Sequence, residues 1–188
     1  VVARSYSILP VLLFGCSVLY KRAASQLALF TTLLLLIAAV SLQGFVISAS
    51  IALAFGWSNI SGKLDRKTLA LVAATYAGGL VLLAICAWPA TGVTFVKPPN
   101  FSLRHLAQVS AYSFCDAFTG EWITSAAVLA ASLPFLWRRS GCAAFMLSSI
   151  GLCAAGSIIY IQVWHHGVLF LAWLFAIWIS ATGTRPTA

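Results

Sequence analysis

Long apolar runs alternate with short basic clusters along most of this chain. The apolar runs cover about 1–20, 26–57, 68–89, 122–137, 142–163 and 168–181. The basic clusters are Lys21-Arg22, Lys63 with Arg66 and Lys67, and Arg138-Arg139. A helix needs about 20 mostly apolar residues to cross a hydrocarbon core of ~30 Å. The pattern therefore predicts an all-α fold, a polytopic transmembrane helix bundle of about six to seven spans that forms one domain over residues 1–188.

One of these runs is too long for a single crossing. As one helix, residues 26–57 would measure ~48 Å at 1.5 Å per residue, well beyond the ~30 Å core. The polar and flexible segment Ser41-Leu42-Gln43-Gly44 lies near the middle of the run. A helical hairpin is therefore favoured, and a single tilted helix is the alternative.

The segment at about 90–121 has a different character. It opens with residues that break helices and strands alike, namely Pro89, Gly92, Pro98 and Pro99. Phe101–Glu121 then mixes aromatic side chains with Arg104, His105, Asp116 and Glu121. This mixture predicts an outer loop followed by one interfacial or partly re-entrant helix.

Composition and charge fix the expected environment and orientation. Hydrophobic residues make up 62% of the chain and charged residues 7%, against about 45–50% and about 25% in soluble domains. The net charge of +8 is scattered between apolar runs and forms no continuous basic face for nucleic acid. Lys and Arg collect on the cytoplasmic side of short loops. We therefore expect a multi-pass integral membrane protein, surrounded by membrane lipids.

This orientation collects ionisable side chains on the outer face. Ionisable groups near hydrocarbon are costly unless they are paired, solvated or functional, so their convergence marks a candidate site. The residues expected there are Arg4, Arg104, His105, Asp116, Glu121, His165 and His166. The alternative is that they are ordinary loop residues that contact lipid headgroups.

Metal, redox and catalytic residues are not identifiable from the pattern. The five cysteines show no CxxC spacing, and most lie inside apolar runs. The adjacent pair His165-His166 points in directions about 100° apart on a helix, unlike the i, i+4 histidines of a zinc site. Small residues at Gly78-Gly79 and at Gly151 with Ala155 are positions where helices can pack closely.

Two stretches resemble a known family. The opening ARSYSILPVLLFGCSVLYKR resembles a segment of GT-C type membrane glycosyltransferases related to protein mannosyltransferases, with Arg4 and Tyr6 at the two telling positions. The later stretch FLWRRSGCAAFMLSSIGLCAAGSIIYIQVWHHGVLFLAWLFAIWIS is similar to bacterial members of that group. Together they cover about half of the chain.

The resemblance implies a multi-pass enzyme of the bacterial inner membrane that transfers a sugar from a polyprenyl-phosphate carrier to an acceptor on the outer face. It implies that Arg4 binds the carrier phosphate and Tyr6 supports it, with further contacts from Arg104, His105, His165 and His166. The family's acidic first outer loop would lie upstream, so we expect a C-terminal part of a longer enzyme, with any divalent cation held by that upstream part. The alternatives are a transporter or flippase and a noncatalytic membrane subunit.

Overall fold

A computed structural model describes residues 5–59, 64–87, 102–137, 141–158 and 167–181. Within these ranges the chain forms eight helices and no strand, so the all-α class is confirmed. The helices are α1 Ser5–Tyr20, α2 Leu27–Val40, α3 Leu42–Asn59, α4 Arg66–Ala87, α5 Leu103–Phe118, α6 Trp122–Trp137, α7 Gly141–Ile158 and α8 Gly167–Ala181.

The long apolar run at 26–57 is a hairpin of α2 and α3. The break is at Ser41, whose backbone is extended at φ −169° and ψ 166°. Ser41 then caps α3, since its Oγ accepts a hydrogen bond of 3.0 Å from the Gly44 N–H. Gly44 sits against the backbone of Ile37, where a Cβ would overlap the Ile37 carbonyl oxygen. The prediction of a hairpin is confirmed and the single tilted helix is wrong.

The other apolar runs also form helices close to the predicted limits. Helix α1 ends at Tyr20, directly before Lys21-Arg22, and α6 covers the whole run Trp122–Trp137. The mixed segment after the prolines contains α5. The described basic pair Lys21-Arg22 thus follows a helix end where the sequence predicts one.

The core of the bundle contains an aromatic cluster centred on Tyr20. Its ring meets Phe30, Phe55 and Phe175 edge to face, with centroid distances of 6.0, 5.8 and 6.2 Å. These rings come from α1, α2, α3 and α8. The end of α1, the beginning of α2 and the end of α3 therefore lie at the same end of the bundle.

Close contacts through small residues complete the packing. Gly151 on α7 faces the Val46 side chain of α3, and Gly79 on α4 faces Leu35 of α2. Gly78 faces open space. The predicted close-packing role is therefore confirmed for Gly151 and Gly79 but is wrong for Gly78.

Two of the described helices are long and apolar enough to cross a membrane, over Arg66–Cys86 and Gly141–Ile158. Four shorter apolar helices occur at Ile8–Tyr20, Leu27–Val40, Trp122–Trp137 and Gly167–Ala181. The two long helices differ in burial, since 44% of the apolar window of α7 is buried, whereas Tyr76 is the one buried side chain among the described residues of α4. The expected total of six to seven spans stays a prediction.

Candidate functional site

Of the residues predicted to lie on the outer face, those with described side chains lie on or next to α5. Arg104 and His105 are exposed in its first turn, and Ser102 caps this turn by accepting a 3.0 Å hydrogen bond from the His105 N–H. Asp116 is exposed near its end, with Glu121 in the turn that follows. Asp116 lies twelve helical positions after Arg104, a distance of ~18 Å at 1.5 Å per position. The structure therefore places the predicted basic and acidic groups at opposite ends of α5.

Helix α5 is amphipathic, with a continuous polar ridge on its exposed side. Arg104, Gln108, Tyr112 and Asp116 follow one another at i, i+4 spacing, and all four are exposed. The opposite side packs into the bundle, where Phe118 meets the Trp173 ring edge to face at 5.4 Å. This division into two faces is what an interfacial or partly re-entrant helix requires.

The Cys115 thiol lies on the buried side of α5. Burial raises its pKa, and the neighbouring Asp116 and Glu121 carboxylates raise it further. A thiol with a raised pKa stays protonated at neutral pH and is a weak nucleophile. Cys115 therefore behaves as a packing residue.

Hydroxyl groups at the turn between α5 and α6 hold its shape. The Thr119 Oγ1 lies 2.5 Å from the Thr124 Oγ1 and 2.9 Å from the Ser125 Oγ. The Ser125 hydroxyl donates to the Cys115 carbonyl oxygen at 3.0 Å, and Gly120 completes the turn with a φ of 74° that favours glycine. These polar groups therefore stabilise the turn between α5 and α6.

The side chains of the other predicted contact residues lie outside the described part of the structure. Arg4, His165 and His166 lie outside the described residues. Tyr6 lies in α1, but its side chain is also outside the described part. Among the described residues, no three His, Cys, Asp or Glu side chains come together as candidate metal ligands.

A large apolar crevice lies between α4 and the helices α2, α3 and α7. We call it the α4 crevice, and its volume is about 910 Å³. Its wall includes Phe30, Phe55, Trp57, Leu69, Leu80 and Met146. Small-molecule sites have volumes of about 300–1,000 Å³, so this crevice is large enough for a sizeable apolar ligand.

Sequence reasoning missed the α4 crevice. The helix that forms its wall is apolar around its circumference, so its hydrophobic pattern does not show which side meets the bundle. The sequence signal that could have indicated the crevice was the absence of a polar face on α4.

A buried hydrogen-bond chain fastens α4 to the hairpin at the back of the crevice. The Ser48 Oγ donates to the Leu34 carbonyl oxygen at 2.6 Å, and the Tyr76 hydroxyl lies 2.6 Å from the same Ser48 Oγ. Because serine has one hydroxyl hydrogen, Tyr76 is the donor to Ser48. Both hydroxyls are thereby satisfied, and the crevice wall is left apolar.

A double-mutant cycle tests this hydrogen-bond chain. Ser48→Ala leaves the buried Tyr76 hydroxyl without its acceptor, so we expect a loss of about 1–2 kcal/mol in the free energy of unfolding. Tyr76→Phe is expected to cost about 0.5–1 kcal/mol, and the double variant about 1 kcal/mol less than the sum of the two. Unfolding of the purified protein by titration with SDS gives the three values. Strictly additive losses would contradict a direct bond.

The comparisons with known proteins add no relative. No protein-family model matches the chain, and comparison with curated proteins and with solved structures gives no match either. The fold is an all-α helical bundle, and the α4 crevice separates the apolar helix α4 from part of α2, α3 and α7. The glycosyltransferase resemblance has no support from these comparisons and stays a prediction from the sequence.

Proposed function

We propose that the protein is a multi-pass membrane protein that admits a lipid chain from the bilayer into the α4 crevice. The observation that carries the proposal is the exposed apolar surface of α4. Tyr76 is the one buried side chain among the described residues of α4, and Leu71 and Ile85 are 69% and 67% exposed. Soluble proteins rarely expose contiguous apolar patches of more than a few hundred Å². A bilayer accepts such a surface, because a helix satisfies its own backbone hydrogen bonds.

The length of α4 supports the same conclusion. Its 22 residues measure ~33 Å, close to the hydrocarbon thickness of ~30 Å. The other apolar helices of 14 to 16 residues measure ~21–24 Å. Local thinning of the bilayer accommodates shorter spans at a modest cost.

The packing also supports the expected orientation. The Tyr20 cluster puts the end of α1, the beginning of α2 and the end of α3 at the same end of the bundle. Lys21-Arg22 lies in the α1–α2 connection at that end, and α4 begins with Arg66-Lys67 soon after α3. Basic residues concentrated at one end of a bundle are typical of the cytoplasmic face.

The resemblance adds a finer proposal, that the lipid is a polyprenyl-phosphate sugar and the reaction a glycosyl transfer on the outer face. Arg104 and His105 are the proposed contact residues with described side chains, and neither lines the α4 crevice. Support for this step is therefore limited to the sequence segments that carry the resemblance.

Cysteine labelling tests the membrane proposal. Two exposed alanines, Ala24 in the α1–α2 turn and Ala107 on α5, allow matched replacements by cysteine. With Cys86 and Cys142 replaced by serine, the remaining cysteines are buried. We expect a membrane-impermeant maleimide to label Ala107→Cys in intact spheroplasts and Ala24→Cys only after the membrane is opened.

Two results would contradict the proposal. Labelling of both positions from the same compartment would exclude the orientation. Recovery of the protein in the soluble fraction after lysis, with neither position labelled in intact spheroplasts, would exclude the membrane location itself. Buried Cys16, Cys115 and Cys153 serve as the internal control, since they should stay unlabelled in both conditions.

A further inference from the structure

The α4 crevice has a basic opening at one end. Leu69 and Trp57 line the crevice there, and Leu69 lies one helical turn after Arg66. Arg66 and Lys67 are both exposed in the first turn of α4. Neither cation lines the crevice itself, but both belong to the turn beside its Leu69 end. An apolar channel with two cations beside its opening is complementary to a molecule with an apolar chain and an anionic head.

The N-terminus of α4 already holds one carboxylate. A helix N-terminus presents backbone N–H groups and the positive end of the helix dipole. One negative group is nearby, since the exposed Asp65 carboxylate accepts a 3.4 Å hydrogen bond from the Thr68 N–H. With Arg66 and Lys67 the three side chains sum to one positive charge.

The crevice has the depth of one membrane leaflet. Its wall on α4 extends from Leu69 to Leu80, which is ~16 Å of helix. Half of a ~30 Å hydrocarbon core is ~15 Å. Trp57, which is 77% exposed, lies at the mouth, where an interfacial aromatic side chain is expected.

From these observations we infer that the α4 crevice binds an anionic glycerophospholipid of the inner leaflet, with an acyl chain along α4 and the headgroup phosphate held by Arg66 and Lys67. The inference rests on the membrane location proposed above. It assigns a binding site on the face opposite to the one where sugar transfer would occur. Charge-assisted contacts from arginine to phosphate are among the strongest polar contacts in proteins, which gives this site its selectivity for an anion.

Native mass spectrometry of the full chain in detergent micelles tests the charge requirement. Dioleoyl phosphatidylglycerol and dioleoyl phosphatidylcholine differ in headgroup charge and share their acyl chains. We expect the anionic lipid to bind at least tenfold more tightly than the zwitterionic one. The Arg66→Gln/Lys67→Gln variant should lose about ten- to thirtyfold in affinity for the anionic lipid, at about 1 kcal/mol for each basic residue.

The matched control removes two positive charges from the α1–α2 connection, which lies at the same end of the bundle as the start of α4. Lys21→Gln/Arg22→Gln is expected to change the affinity less than threefold. Equal losses in both variants would show a diffuse electrostatic attraction and would overturn the site. Equal affinity of the unaltered protein for the two lipids would overturn it as well.

A second pair of variants tests the acyl chain. Ala73 lines the crevice, whereas its neighbour Ala74 is exposed and does not. Ala73→Phe should reduce binding of the anionic lipid at least fivefold, while Ala74→Phe should leave it unchanged. Equal binding in both would show that the chain lies elsewhere. Cysteine labelling with the expected sidedness alongside a failed lipid test would reject this site alone and leave the membrane proposal standing.

Discussion

Replacing Tyr20 by leucine is expected to lower the free energy of unfolding by about 2–4 kcal/mol. Tyr20 makes edge-to-face contacts with Phe30, Phe55 and Phe175, and each such pair contributes about 0.5–1.5 kcal/mol beyond the area it buries. Because the three partners belong to three different helices, the loss acts on the assembly of the bundle. Titration of the detergent-solubilised protein with SDS, followed by circular dichroism, measures this loss.

Tyr112→Leu is the matched control for this prediction. Tyr112 is 59% exposed, and its one ring neighbour within the described part of the chain is Trp122, at 5.9 Å. We expect this variant to lose about 1 kcal/mol or less. If the two variants lose the same free energy, the Tyr20 cluster is not what joins α1, α2, α3 and α8.

The helices themselves could be predicted because the signals that define them are local. A basic pair after Tyr20 and a serine at position 41 each end an apolar run, and the structure ends a helix at both positions. The hairpin followed from length, since a run of 32 residues does not fit one crossing. None of these predictions required knowledge of which helices touch.

The arrangement of the helices could not be predicted in the same way. Helix α5 shows a polar and an apolar side in its sequence, so its two faces are readable. Helix α4 shows no polar side, so the crevice behind it depends on where a few contacts, such as Tyr76 with Ser48, hold it. Sidedness predicts only the face of the membrane on which the ionisable residues lie, and it does not give the distance of ~18 Å between Arg104 and Asp116 along α5.

The glycines show the same limit at single residues. Gly78 and Gly79 are indistinguishable in sequence, yet Gly79 lies against Leu35 and Gly78 faces open space. The sequence predicts that Gly44 lies in the flexible turn of the hairpin. In the structure it lies inside α3, where the absence of a side chain lets α2 and α3 approach.

Gly44→Ala is therefore expected to destabilise the protein by about 1–2 kcal/mol. Its new Cβ would overlap the backbone carbonyl oxygen of Ile37, which cannot move aside as a flexible side chain does. Overpacking of this kind costs about 1–3 kcal/mol, and the gain from replacing a helical glycine by alanine offsets about 0.5–1 kcal/mol of it. The same SDS titration measures the difference.

Gly56→Ala makes the same chemical change on the same helix with the opposite expected sign. A Cβ at position 56 meets nothing within 4 Å, so the helix-propensity gain of about 0.5–1 kcal/mol is not offset and the variant should be more stable. Opposite signs for the two glycines would show that α2 and α3 touch at Gly44 and that the crevice is open at Gly56. A stabilising Gly44→Ala would mean that the hairpin is looser than described, because only separated helices leave room for that methyl group.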